Sequence, residues 1–184
     1  MSATKKADKG RVASPAQCRR VLSALPFLEN VGQDDIEELC VLMRVRDFVA
    51  GSTIFYEDDD SDAVYFIELG SVEVFKSDGT GRKMPLAVLR NSGVLGEMGL
   101  LLQTPRTASA RTLCAVRTLV MPSAAIHAAL QNNSLAAYRL VTGFARVLSQ
   151  RLALVDQKLF ELCEETQTEP RRYSDFDQNL LHVP

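Results

Sequence analysis

The sequence predicts a mainly β fold with flanking helices: an antiparallel β-barrel of the jelly-roll kind, with a helical hairpin before it and a long helix after it. Two observations support this prediction. Residues 47–89 are rich in β-branched and aromatic residues, and turn signals interrupt them at short intervals. The segments on either side have apolar residues at helical spacing. Short strands at such intervals are typical of a small sandwich or jelly roll.

The composition excludes several classes of protein. The chain has 184 residues, which is enough for one domain with extensions. Its net charge of −2 leaves no overall basic field to attract nucleic acid or anionic lipid. The N-terminus has no signal-peptide core, no apolar run reaches the length of a membrane span, and the four cysteines are isolated from one another. We therefore expect a cytoplasmic protein.

The N-terminal part predicts two short helices. Residues 1–13 are small and polar, and we expect them to be disordered. Ser14 followed by Pro15 is typical of a helix start, with a hydroxyl cap and a proline in the first turn. That helix is predicted to break at Pro26. A second helix is predicted to begin near Gln33, because two aspartates follow it where the helix dipole favours carboxylates.

Strands and turns follow in the middle of the chain. Turn signals occur at Gly51, within Asp58–Asp62, at Gly70 and in residues 77–81. The acidic run Asp58–Asp60 lacks the spacing and the final glutamate of a calcium loop, so we interpret it as a hairpin turn.

Two more strands are predicted at residues 107–111 and 115–121. Helical sequence then starts at Pro122 and continues, with a break near Asn132 and Asn133, to about Glu165. These patterns predict four segments: a disordered N-terminus (1–13), a β-domain with its N-terminal helices (14–131), a long helix (132–165) and a C-terminal tail (166–184).

Residues 96–110, "GEMGLLLQTPRTASA", have the composition of a small anion site. Gly96 and Gly99 allow the backbone to approach a ligand closely, and the first N–H groups of a short helix can bind a phosphate. Arg106 can add a planar fork that matches two phosphate oxygens. Glu97 would repel a phosphate, so a sugar hydroxyl is its expected partner. Since neither Glu97 nor Arg106 has an evident packing role, both favour a ligand, namely a sugar phosphate of limited charge.

The run "LGEMGLLLQTPRTASAR" resembles the phosphate-binding cassette of the cyclic nucleotide-binding domain, and the similarity extends from about residue 21 to residue 163. The family usually has glycines near Asp58 and Ser61, where this chain has other residues. The resemblance implies that Glu97 binds the ribose 2′-hydroxyl and that Arg106 binds the cyclic phosphate, with backbone N–H groups completing the cradle. The implied ligand-binding residues are Gly96, Glu97, Met98, Gly99, Arg106, Thr107 and Ala108. The ligand expected from the family is cAMP, or else cGMP.

The long helix has a second apolar pattern. Val141, Leu148, Val155 and Leu162 recur every seventh residue, and Phe144, Leu152 and Leu159 accompany them. This stripe either forms the seam of a parallel homodimer or packs on the β-domain, and we favour the dimer because the helix is longer than a small domain needs. Arg151 lies beside the stripe as a possible base contact, or as an ordinary charged flank of the seam.

The function expected from these residues is that of a stand-alone cyclic nucleotide sensor without enzymatic activity, which signals to a protein partner. Clustered metal ligands are not expected, because His127 and His182 are the chain's two histidines and lie far apart in sequence. The 21 residues after Cys163 are too few for a helix-turn-helix module, so we do not expect direct DNA binding. The alternative is a ligand-independent adaptor that uses the tail for protein interaction.

Overall fold

The computed structural model describes residues 10–28 and 31–166. Within them the chain forms nine strands and five helices. The strands are β1 Arg11–Val12, β2 Arg44–Phe48, β3 Thr53–Phe55, β4 Ala63–Leu69, β5 Val72–Ser77, β6 Lys83–Leu89, β7 Val94–Leu95, β8 Ser109–Thr112 and β9 Val116–Pro122. The helices are α1 Pro15–Ser23, α2 Gln33–Val41, α3 Glu97–Leu102, α4 Ser123–Gln131 and α5 Leu135–Thr166, with a 3-10 turn at Pro26–Leu28.

The strands form two sheets in which every pairing is antiparallel. The first sheet has the order β1-β2-β9-β4-β7, and the second has the order β3-β8-β5-β6. The predicted mainly β fold with flanking helices, of the jelly-roll kind, is thereby confirmed.

Strand β4 lies between two hydrophobic clusters and is buried on both of its faces. Val64 and Phe66 belong to a cluster that the first sheet forms with apolar residues of α1, α2, α4 and the start of α5. Tyr65 and Ile67 belong to a second cluster, which joins residues of both sheets. Because successive side chains of a strand point to opposite faces, one continuous apolar run can serve two cores.

The N-terminal helices begin where the sequence predicts. The Ser14 hydroxyl accepts a hydrogen bond from the Gln17 N–H at 3.2 Å and caps α1. Helix α2 begins at Gln33, and the Asp35 carboxylate accepts the N–H of Gly32 at 3.1 Å. Arg11 and Val12 lie in the stretch that we expected to be disordered, but they pair with β2; residues 1–9 of that stretch lie outside the described residues.

The acidic run is not a hairpin turn. It joins β3 of the second sheet to β4 of the first, so the strands on either side of it do not pair with each other. Two backbone hydrogen bonds fasten the run to the cassette: the Asp58 N–H donates to Arg106 O at 2.9 Å, and the Arg106 N–H donates to Asp59 O at 2.8 Å. Repeated aspartates signal a turn, but they do not tell which strands the turn connects.

The chain divides into two compact units, Met1–Ala145 and Arg146–Pro184, and helix α5 crosses the boundary between them. In the first unit, Phe144 is buried in the core and Val141 packs against the same cluster. In the second unit, the side chains of Leu152, Val155 and Leu159 are more than half exposed. The early part of the predicted apolar stripe therefore packs on the core of the first unit, as in an ordinary amphipathic helix. The side chains of the later part are exposed to solvent.

Cysteines occupy different environments. Cys18 and Cys40 are buried between α1 and α2, and this burial raises the pKa of Cys40 to about 12. Cys114 is exposed. Among the described residues, no helix is long and apolar enough to cross a membrane.

Candidate functional site

A glycine caps the start of helix α3, and no other residue could replace it unless neighbouring atoms moved. Gly96 has a φ of 84°, which favours glycine, and a Cβ built on it would lie 2.2 Å from Arg106 Nη1. Gly99, one turn later, is equally confined, because its Cβ would lie 2.2 Å from Ser61 Oγ. The sequence predicted that these two glycines allow a ligand to approach the backbone. In the structure they allow two side chains of the protein to approach it: Arg106 at Gly96 and Ser61 at Gly99.

Arg106 lies almost completely buried, with an exposed fraction of 2%. Its Nη2 donates to Asp62 Oδ1 at 2.9 Å and to the Ala63 carbonyl at 2.7 Å, and its Nη1 donates to the Gly96 carbonyl at 3.4 Å. The guanidinium carbon lies 4.3 Å from the ring centre of Phe55. Such a cation over an aromatic face, with charge-assisted hydrogen bonds, is a stabilising arrangement.

One nitrogen of Arg106 lacks a hydrogen bond. Among the described residues, the buried Nε of Arg106 has no partner. An unsatisfied buried donor costs about 1–3 kcal/mol. Nε and Nη2 lie on the same edge of the planar guanidinium and together make the fork that binds two oxygens of an anion. The unpaired Nε is therefore half of a fork for a phosphate or a carboxylate.

Glu97 is the first residue of α3 and is 3% exposed. Its burial and that of Arg106 contradict our interpretation that these two residues have no packing role. The Arg106 side chain joins residues 62–63 to Gly96. Glu97 is buried at the start of a helix. Sequence patterns missed this because the partners of Arg106 are backbone carbonyls and Asp62, which lies 44 residues earlier.

The two ends of the cassette meet through side chains. The Thr107 hydroxyl contacts Met98 Sδ at 3.8 Å, and the Met98 side chain is 39% exposed. Ala108, the next residue, is buried and directly precedes β8. The structure thus brings residues 96–99 and 106–108 together as the sequence predicts. Arg151 lies on α5 in the second unit.

Three residues of the site were not predicted: Phe55, Asp62 and Tyr65. The Tyr65 ring lies 5.8 Å from the Arg106 guanidinium, and Arg46 Nη1 is 3.5 Å from its hydroxyl. Burial raises the pKa of Tyr65, and the nearby Asp62 raises it further, so the phenol stays neutral. The aromatic residues looked like ordinary strand residues in the sequence, and Asp62 looked like part of a turn.

A cavity of about 270 Å³ lies next to this site, and neither Arg106 nor Glu97 lines it. Its walls come from the acidic run, from α3 with the turn after it, and from α4: Asp60, Ser61, Gly99, Leu100, Gln103, Thr104, Pro105 and His127. The cavity and the Arg106 fork are therefore separate features.

The fold and the site define a two-sheet β-domain with a glycine-flanked helix start and a buried arginine that has half of its anion fork unpaired. Residues 45–133 match the family model described as the cyclic nucleotide-binding domain. Over these residues the chain is similar to the cyclic nucleotide-binding domain family.

Relatives with different overall functions share this similarity. The chain is 28% identical to a CRP-like cAMP-activated global transcriptional regulator of Mycobacterium tuberculosis over 77% of this chain and 62% of that protein. It is 29% identical to glutaminase 1 of Bradyrhizobium diazoefficiens over 75% of this chain but 22% of that protein. The chain thus spans less than two thirds of either relative. A cyclic nucleotide-binding domain from Methylobacillus flagellatus has the same fold, with a TM-score of 0.70 and 17% identity over 80% of this chain and 83% of that one.

Proposed function

We propose that this protein is a sensor that binds a 3′,5′-cyclic nucleotide at Arg106 and Glu97. The observation that carries the proposal is the buried, unpaired Nε of Arg106, which offers half of a phosphate fork beside the α3 start. Arg106 would bind the cyclic phosphate and Glu97 the ribose 2′-hydroxyl. Backbone N–H groups of Met98 or Gly99 and of Thr107 would complete the cradle.

The ligand proposed first is cAMP, with cGMP as the other candidate. The mycobacterial relative is a cAMP-activated regulator by name, and that name supports cAMP without excluding cGMP. We further propose that the protein is a non-enzymatic regulator that signals to a protein partner.

A parallel homodimer through α5 is part of the proposal. Leu152, Val155, Leu159 and Leu162 alternate in steps of three and four along the exposed part of the helix. This heptad places Arg151 at a g position and Asp156 at the following e position. In a parallel pair these positions meet across the seam with opposite charges, whereas an antiparallel pair would bring g positions of like charge together.

A second candidate is the ligand-independent adaptor, and one observation favours it. Arg106 already binds three acceptors of the protein, so the fold could retain this arginine for stability alone. The adaptor would use the tail 166–184 for protein interaction, and residues 167–184 lie outside the described residues.

Calorimetric titration with cAMP and with cGMP separates the two candidates. Arg106→Lys keeps the positive charge but removes the planar fork, so we expect at least about tenfold weaker binding than in the wild type. Arg111→Lys is the matched control. Arg111 bonds to Glu73 at 2.6 Å on a neighbouring strand, so this variant should bind the nucleotide as the wild type does.

Thermal unfolding of each variant, followed by circular dichroism, shows whether it is folded at the titration temperature. Binding by the wild type that Arg106→Lys weakens and Arg111→Lys does not would support the sensor. If the wild type gives no heat of binding with cAMP or with cGMP, after copurified nucleotide has been removed, the adaptor is favoured.

A further inference from the structure

We propose that the Asp62 carboxylate is an internal competitor of the ligand, which the nucleotide phosphate must displace from Arg106. The inference rests on the proposed function, since it concerns the anion that Arg106 binds. It assigns a role in setting ligand affinity to a residue outside the cassette.

The hydrogen-bond pattern of Arg106 carries the inference. Nη2 has two hydrogens, and both are engaged: one by Asp62 Oδ1 at 2.9 Å and the other by the Ala63 carbonyl at 2.7 Å. Asp62 bonds to Nη2 but not to the adjacent Nε, which has no partner among the described residues. A phosphate has the oxygens to take Nε and Nη2 together, which a single carboxylate oxygen does not.

Among the acceptors of Arg106, the Asp62 carboxylate is the one that a ligand can displace, because it lies at the surface. Its side chain is 73% exposed, whereas that of Arg106 is 1% exposed. Solvent already surrounds this carboxylate and would hydrate it once it is released from Arg106. Its displacement therefore leaves no carboxylate buried without a partner. The Ala63 and Gly96 carbonyls would continue to hold the guanidinium.

The backbone of Asp62 is fixed independently of its side chain. Its carbonyl accepts the Ser123 N–H at 2.8 Å, at the first residue of α4, and the neighbouring Ser61 carbonyl accepts the Ser123 hydroxyl at 2.9 Å. Displacement therefore requires a side-chain rotation and leaves the connection between β3 and β4 in place. An orienting role for Asp62 would predict the opposite effect on affinity, because removing it would then leave Arg106 misplaced.

The experiment compares two aspartates of the same loop. We expect Asp62→Ala to bind the nucleotide about tenfold more tightly than the wild type, as loss of one competing charge-assisted hydrogen bond allows. Asp62→Asn should give a smaller gain, since its amide oxygen still accepts from Nη2 as a neutral group. Asp60→Ala removes the same charge from an exposed position that does not contact Arg106, and it should change the affinity by no more than about twofold.

Calorimetry with the nucleotide that the wild type binds gives the affinities, and circular dichroism confirms folding. Weaker binding by Asp62→Ala, unchanged binding, or an equal gain in Asp60→Ala would each overturn the inference while leaving the proposed function intact. Absence of binding by the wild type and by all variants would overturn both.

Discussion

Asp58 has a backbone φ of 65°, in the left-handed region that glycine adopts most easily. The family resemblance implies a glycine near this position, and the left-handed conformation gives the physical reason for one. Aspartate tolerates the conformation better than most residues, at a modest cost. The Asp58 N–H still donates to Arg106 O, so the turn forms despite its side chain.

We expect Asp58→Gly to raise the free energy of unfolding by about 0.5–1 kcal/mol, because relief of the left-handed conformation exceeds the added entropy of the unfolded chain. Urea unfolding followed by circular dichroism measures the change. The matched control is Asp60→Gly, which removes the same charge where φ is not positive. We expect Asp60→Gly to lower the free energy of unfolding. An equal increase in both variants would show that loss of the charge, and not relief of the left-handed conformation, causes the effect.

Among the elements, the beginning of α5 packs against the 3-10 turn through a glycine. A Cβ built on Gly143 would lie 2.4 Å from Cδ2 of Phe27 and 3.2 Å from the Phe27 carbonyl. The Phe27 ring also lies 5.8 Å from the ring of Phe144. Glycine is a poor helix former, so its presence in a helix interior here is explained by this close approach.

We expect Gly143→Ala to lower the free energy of unfolding by up to about 2 kcal/mol. The gain in helix propensity is about 1 kcal/mol, but overpacking against Phe27 costs about 1–3 kcal/mol. Thermal or urea unfolding measures the difference. Gly79→Ala is the control, because nothing lies within 4 Å of its Cβ position and its stability should stay within about 0.5 kcal/mol. A more stable Gly143→Ala variant would show that helix propensity outweighs the contact.

For the whole molecule, the consequential feature is the exposed apolar stripe of α5. Monomeric soluble proteins rarely keep large contiguous apolar patches open to water, and such patches mark interaction sites. The stripe follows a heptad, whereas Leu154 and Phe160 are equally exposed but lie off it. A parallel pair of helices would cover the heptad positions, which is the arrangement proposed above.

We expect Leu159→Asp to dissociate the dimer, because it places a charge in the seam, and Leu154→Asp to leave the dimer intact. Both side chains are more than half exposed in the described chain, so neither substitution should unfold the protein. Sedimentation equilibrium of the full chain gives the oligomeric state. A monomeric wild type, or equal dissociation by both variants, would contradict the α5 dimer.

The sequence by itself determined the β fold, the two N-terminal helix starts and the pairing of residues 96–99 with residues 106–108. These features depend on local signals: residue periodicity, a capping hydroxyl and glycines at short spacing. Only the tertiary structure decided that the acidic run crosses between sheets, that Phe55 and Tyr65 surround the guanidinium, and that Arg106 is held by Asp62 and two carbonyls. Those contacts join residues that are distant in the chain, and burial in a shared core, which no local pattern encodes, brings them together.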